Sequence, residues 1–104
     1  MTLREKQSRF ARMISELILW AYGQGYEITL GDAWSKPEYK AHRPNSLHFL
    51  RLAEDLNLFK DDKYLEETEG HRPLGEKWIQ MGGSWGGSWG TDGNHYSLEH
   101  NGYR

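Results

Sequence analysis

The stretch SLHFLRLAEDLNL, residues 46–58, decides how this chain is read. It holds His48 and Asp55, seven positions apart. On a continuous helix the two side chains would share a face but lie about 10 Å apart along the axis. In a continuous strand they would point to opposite faces. Neither geometry brings both onto one small cation at bond lengths of ~2 Å. If they serve one ion, the chain must bend between them, with His48 on a loop entering a strand and Asp55 within it. The strand itself is written in the leucines. Leu50, Leu52, Leu56 and Leu58 share one parity and Arg51, Ala53, Asp55 and Asn57 the other, which predicts a strand over 50–58.

C-terminal to this stretch, Lys60-Asp61-Asp62-Lys63 reads as a charged turn, and Tyr64-Leu65 as the start of a short return strand. Residues 66–70 are acidic and read as exposed. A short helix is expected over Leu74 to Met81, with Pro73 near its first turn. Residues 82–90, GGSWGGSWG, form a small repeat whose glycines permit tight turns and close backbone approach while two indoles give it something to pack. A last strand is expected over Tyr96 to His100. Just before it stands Asp92-Gly93-Asn94-His95, in which the Gly-Asn pair permits a turn that aims Asp92 and His95 into one cleft.

N-terminal to the deciding stretch, Leu3, Phe10, Met13, Ile14, Leu17, Ile18 and Ala21 recur at helical spacing over residues 3–22. Thr2 and Glu5 form a capping-box pattern, and Gly23 and Gly25 end the helix. Tyr26, Ile28 and Leu30 alternate with Glu27 and Thr29, a strand signal. Gly31-Asp32 turns the chain. Residues 34–45, with Pro37 and Pro44, read as loop with a short helical turn near Glu38 to Ala41.

With 104 residues the chain is expected to be one domain, residues 1–104. The fold class expected is α+β, an N-terminal helix packed on a small, mostly antiparallel sheet. The formal charge of -2 gives no general electrostatic reason to bind nucleic acid. Arg4, Lys6, Arg9 and Arg12 suit the wet side of the first helix better than an anion-binding patch. The absence of Cys removes disulfides, thiolate metal sites and Cys nucleophiles. No run approaches the ~20 apolar residues of a membrane span, and the N-terminus does not read as a signal peptide. The expected place of synthesis is the cytoplasm.

Two imidazoles and a carboxylate, His48, Asp55 and His95, are a donor set that holds Zn²⁺ with one position left for water. A further acid, Asp92, stands where it can take that water's proton. The residues alone leave other readings open. A His and an Asp near a turn are often a hydrogen-bonded pair, and Asp92 serves equally well as a turn cap. His42, His71 and His100 are reserve ligands. The first two sit in polar loops where exposed histidines are ordinary, and His100 has parity opposite to His95.

Taken together these motifs resemble the M15 zinc peptidases, which share the hedgehog/DD-peptidase fold, and within them the small phage-encoded, VanY-like peptidoglycan peptidases of endolysin type. Ser46, His48, Ala53 and Asp55 meet the pattern Ser-x-His-x-x-x-x-Ala-x-Asp, and Asp92 and His95 meet Asp-x-x-His. The surroundings match too, in His71-Arg72-Pro73-Leu74-Gly75, Trp78, the Gly-Trp-Gly segment and Ser97 to His100, so that the likeness runs from about residue 26 to 102. The resemblance implies His48, Asp55 and His95 as Zn²⁺ ligands and Asp92 as general base and acid. It implies a bacterial peptidoglycan peptide as substrate, cut at a D-Ala-D-Ala terminus or an L-Ala-D-Glu bond. Ser46 would support the His48 loop, and Trp85 and Trp89 would form or brace a cleft wall. For a phage enzyme it implies a stay in the host bacterial cytoplasm, then holin-dependent release to the wall. One departure stands out. Relatives carry an Arg shortly after the first strand to polarise the substrate carbonyl, whereas here Gly31-Asp32-Ala33 leads into Trp34. Arg43 or Arg51 would have to supply that guanidinium, and Arg51 stands where many relatives have Gly. The alternatives are a metal-binding but non-catalytic wall-binding or structural phage protein, with Trp34 blocking the channel, and an interaction module that binds no metal.

Overall fold

The first helix, α1 (Leu3–Gly23), starts where the capping box predicts. The Glu5 amide donates to the Thr2 hydroxyl and the Thr2 amide to the Glu5 carboxylate, both at 3.1 Å. These bonds hold the Glu5 carboxyl below its usual pKa. Caps of this kind contribute about 1 kcal/mol. Phe10, Met13, Leu17 and Ala21 are its buried face. Leu3, which fits the same spacing, is exposed. Gln24 closes the helix through the Trp20 and Ala21 carbonyls, and Gly25, at φ 92°, reverses the chain. The computed structural model describes residues 1–31 and 47–104 of the chain, the side chain of Phe49 excepted.

Among the described residues five strands follow: β1 (Tyr26–Leu30), β2 (Ala53–Lys60), β3 (Lys63–Tyr64), β4 (Ser84–Trp85) and β5 (His95–Ser97). The sheet order is β1-β2-β5-β4, with β3 also on β2, and every pairing is antiparallel. The second helix, α2 (Arg72–Gln80), has Pro73 in its first turn, where a missing N–H leaves no bond unmade. The architecture is α+β, as the sequence predicts. None of the described helices is long and apolar enough to cross a membrane.

The predicted strand over 50–58 is shorter at its start and longer at its end. Residues Leu47–Leu50 form a 3-10 turn, and the strand begins only at Ala53. The cause is Arg51, at φ 56°, where the chain takes a left-handed step that no strand accommodates. Leu52 then closes the turn by donating to the Leu47 carbonyl at 2.9 Å. An L side chain in this region costs ~1–2 kcal/mol. Arg51→Gly is therefore expected to be about 1 kcal/mol more stable than Arg51→Ala in urea unfolding, the reverse of the usual order for these residues. The last strand is likewise shorter than 96–100, because the chain leaves the sheet at Leu98 and folds back through Asn101 and Gly102, both at positive φ.

Trp78 is the centre of the core. Its ring is fully buried, edge-on to Phe10 at 5.9 Å and to Tyr96 at 6.3 Å. Its indole N–H lies 3.0 Å from both the Ser84 and Ser97 carbonyls, tying β4 to β5 from beneath. His71 was expected on an exposed loop, and the structure corrects this. It is 2% exposed, and Nδ1 lies 2.9 Å from the Tyr96 hydroxyl. Burial lowers its pKa to about 4, against an opposing hydrogen bond to the Leu65 backbone. Burial also raises the Tyr96 pKa, so the phenol stays protonated and donates to a neutral ring. Folding thus favours neutral His71. Its contribution is complete above the unfolded value of ~6.5 and is lost as pH falls toward the folded value. Between pH 7.5 and 4.5 the unsubstituted chain should lose ~2–3 kcal/mol more stability than His71→Gln, measured by urea titrations at the two pH values.

Candidate metal centre

The site is assembled by strand register. In the β2–β5 ladder Asp55 lies directly opposite His95, so their side chains share a face and stand as a cross-strand pair. Alternation sends Glu54, Leu56 and Tyr96 to the other face, where all three are buried. His48 arrives from the 3-10 turn that Arg51 ends. That turn is fastened to α1 by Gln7, whose side-chain amide donates to the Leu50 carbonyl at 2.8 Å. The bend demanded between His48 and Asp55 is therefore made at Arg51.

The three groups converge. His48 Nε2 is 3.2 Å from Asp55 Oδ1, and His95 Nδ1 is 3.8 Å from the same oxygen. The two imidazoles approach at 5.3 Å between centroids, with their planes at 66°. One ligand atom from each of His48, Asp55 and His95 falls within 4.8 Å of the others. Tetrahedral bonds of ~2.0–2.1 Å set donor separations of roughly 3.3 Å. The donor set and its spacing thus fit a divalent cation with only small side-chain adjustment. Both histidines are sunk, at 2% and 5% exposure, while the Asp55 side chain keeps 19%. Such a centre is open on its carboxylate side.

Asp92 stands on that open rim. Its carboxylate is 57% exposed, with Oδ2 4.0 Å from His95 Nδ1. The turn that presents it is held by its backbone, since the His95 amide donates to the Asp92 carbonyl at 3.1 Å. Trp85 braces the turn from below. Its ring is buried and its indole N–H donates to the Gly93 carbonyl at 2.6 Å. Trp89 lies on the site side, half-buried, with its ring 5.6 Å from His95 at 70°. The guanidinium of Arg104 sits 4.5 Å over the Trp89 ring.

Gly86 is the contact that lets these pieces close. A Cβ there would collide with the Asp92 carbonyl oxygen and lie 2.9 Å from the His95 Cβ. The repeat hinted at close approach but not at which glycine makes it. Gly86→Ala is expected to push the 92–95 turn away from β4 and to cost ~1–3 kcal/mol, read as a lower melting midpoint together with weaker Zn²⁺ uptake.

Arg51 is exposed and marks the bend. Trp34, Arg43, Ser46 and His42 lie outside the described residues. Of the other reserve ligands, His71 belongs to the core, and His100 contacts Lys6 at 3.4 Å and Asn101 at 3.3 Å.

Fold and site together define a small α+β domain with a His/Asp/His metal-type centre and an acid at its rim. The family model described as D-alanyl-D-alanine carboxypeptidase, of the M15 peptidases, matches residues 39–98, a span that contains all four of these side chains. The chain belongs to this peptidase family. No curated protein matches it, and no solved structure does.

Proposed function

We propose that this chain is a zinc-dependent peptidase that cuts the stem peptides of bacterial peptidoglycan, with residues 1–104 acting as one catalytic unit. The observation that carries this reading is the convergence of His48, Asp55 and His95 beside an exposed Asp92, inside the region that matches a peptidase family. His48, Asp55 and His95 would hold the ion. Once bound, Zn²⁺ supplies a water of lowered pKa and a Lewis acid for the scissile carbonyl. Asp92 is exposed enough to meet that water. Its carboxylate takes the proton at an oxygen and returns it to the leaving amine. Trp89 walls the cleft, and Trp85 keeps the 92–95 turn in place from the core side.

The biological setting proposed is phage or prophage lysis. The protein would be made in the host cytoplasm and reach the wall after holin-dependent release. Either the D-Ala-D-Ala terminus or the L-Ala-D-Glu bond would be cut. Metal analysis of the purified protein, followed by mass spectrometry of digested muropeptides, tests the proposal, because product masses identify the bond. One equivalent of zinc with loss of a terminal alanine, or release of the peptide beyond L-Ala, supports it. Bound zinc with intact muropeptides would make the protein a non-catalytic wall binder. Absence of zinc at stoichiometric level would remove the metal reading.

A further inference from the structure

Asp55 is the donor that both histidines meet, since His48 Nε2 and His95 Nδ1 lie 3.2 and 3.8 Å from its Oδ1. Its place on β2 therefore sets the shape of the whole cluster. One flank of Asp55 is taken by His95, across the ladder with β5. The other faces the end of β1, one step beyond the last pair of that ladder, Leu30 with Leu56. Gly31 stands there and donates its amide to the Asp55 carbonyl at 2.8 Å.

The strands are pinched at this point. Cross-strand Cβ atoms ordinarily stand ~4.5–5.5 Å apart. A Cβ on Gly31 would lie 3.1 Å from the Asp55 Cβ and 3.0 Å from the Asp55 carbonyl oxygen. The backbone does not ask for glycine, because Gly31 is not at positive φ. The contact alone asks for it. The same peptide group is held on its far side, where the Leu56 amide donates to the Asn94 carbonyl at 2.9 Å, and Asn94 is the residue before His95. A push from position 31 thus reaches Asp55 directly and His95 through one peptide plane. His48 is held separately, on the 3-10 turn that Gln7 fastens. We propose that Gly31 is a positioning residue for the metal centre: its bare α-carbon lets β1 close on Asp55 and fixes that carboxylate between the two imidazoles. The inference rests on the metal reading above and asks nothing of the peptidase activity.

The test compares Gly31→Ala with the unsubstituted chain and with Gly23→Ala, a helical position where an added Cβ meets nothing within 4 Å. Three quantities are read: the zinc dissociation constant by competition with a chromophoric chelator, the visible absorption of the Co²⁺-loaded chain, which follows donor geometry, and the melting midpoint of the metal-free chain. Gly31→Ala is expected to weaken zinc about tenfold, as loss of a group that orients a metal ligand does. It is also expected to change the Co²⁺ spectrum while the metal-free midpoint stays close to the parent's. Gly23→Ala is expected to change neither affinity nor spectrum. Equal zinc affinity and identical spectra in Gly31→Ala and the parent overturn the inference. So does a lower metal-free midpoint with an unchanged Co²⁺ spectrum, or loss of the fold altogether, because Gly31 would then serve the sheet alone. A parent that takes up no zinc removes the metal reading and this inference with it. A parent that binds zinc and cuts no muropeptide ends the peptidase reading only.

Discussion

Asp92→Ala is expected to take up Zn²⁺ as the unsubstituted chain does and to hydrolyse muropeptides ~10²–10⁴-fold more slowly. The two halves of this expectation come from different atoms of one residue. The carbonyl of Asp92 holds the His95 amide, and alanine keeps that carbonyl. The carboxylate, at 4.0 Å from His95 Nδ1 and largely exposed, makes no bond that the turn requires. On the proposed reading, removing it would subtract the proton carrier and leave His95 in place. The measurement is kcat on a defined muropeptide alongside zinc content by atomic absorption. A variant that cuts at the parental rate would reduce Asp92 to a turn residue, and the proton would have to move through another group.

His95→Ala is expected to act on the other half, abolishing both stoichiometric zinc and turnover. With His95 gone, only His48 and Asp55 remain of the convergent donors. The zinc-loaded parent should gain ~2.7 kcal/mol of stability at free zinc one hundredfold above its dissociation constant, and the variant should gain none. Thermal unfolding with zinc and with a chelator reads this directly. A parent whose midpoint ignores zinc would refute the assignment of the centre. Because His95 is also packed against Trp89 and buried, the variant's far-ultraviolet circular dichroism must match the parent's before the comparison counts.

Much of this arrangement was legible in the sequence because its signals are local. The Thr2–Glu5 cap, the α1 face and the strand at β1 each follow from neighbours a few residues apart, and the structure has all three, although Leu30, the last apolar position of the β1 alternation, is exposed. The need for a bend between His48 and Asp55 was also legible, since it follows from the geometry of regular elements. Its location was not. Arg51 carries a left-handed backbone that an arginine does not advertise, so the leucine alternation places the strand three residues too early. His71 was misplaced for a related reason. Its flanking residues are polar, but its ring is claimed by Tyr96, a partner 25 positions away that no local pattern reveals. The stacking of Arg104 on Trp89 is non-local in the same way. Nor could spacing show that Gly86, rather than another glycine of the repeat, is pressed against the Asp92 carbonyl.

The pairing of Asp55 with His95 across β2 and β5 has a consequence for how the chain avoids misfolding. A slip of one residue between these strands would turn His95 away from Asp55 and set Tyr96 in its place, so the two donors could no longer share a cation. A metal added during refolding would then reward the correct alignment alone. It would act as a proofreader of strand alignment, raising the yield of native protein beyond what its effect on the finished fold accounts for.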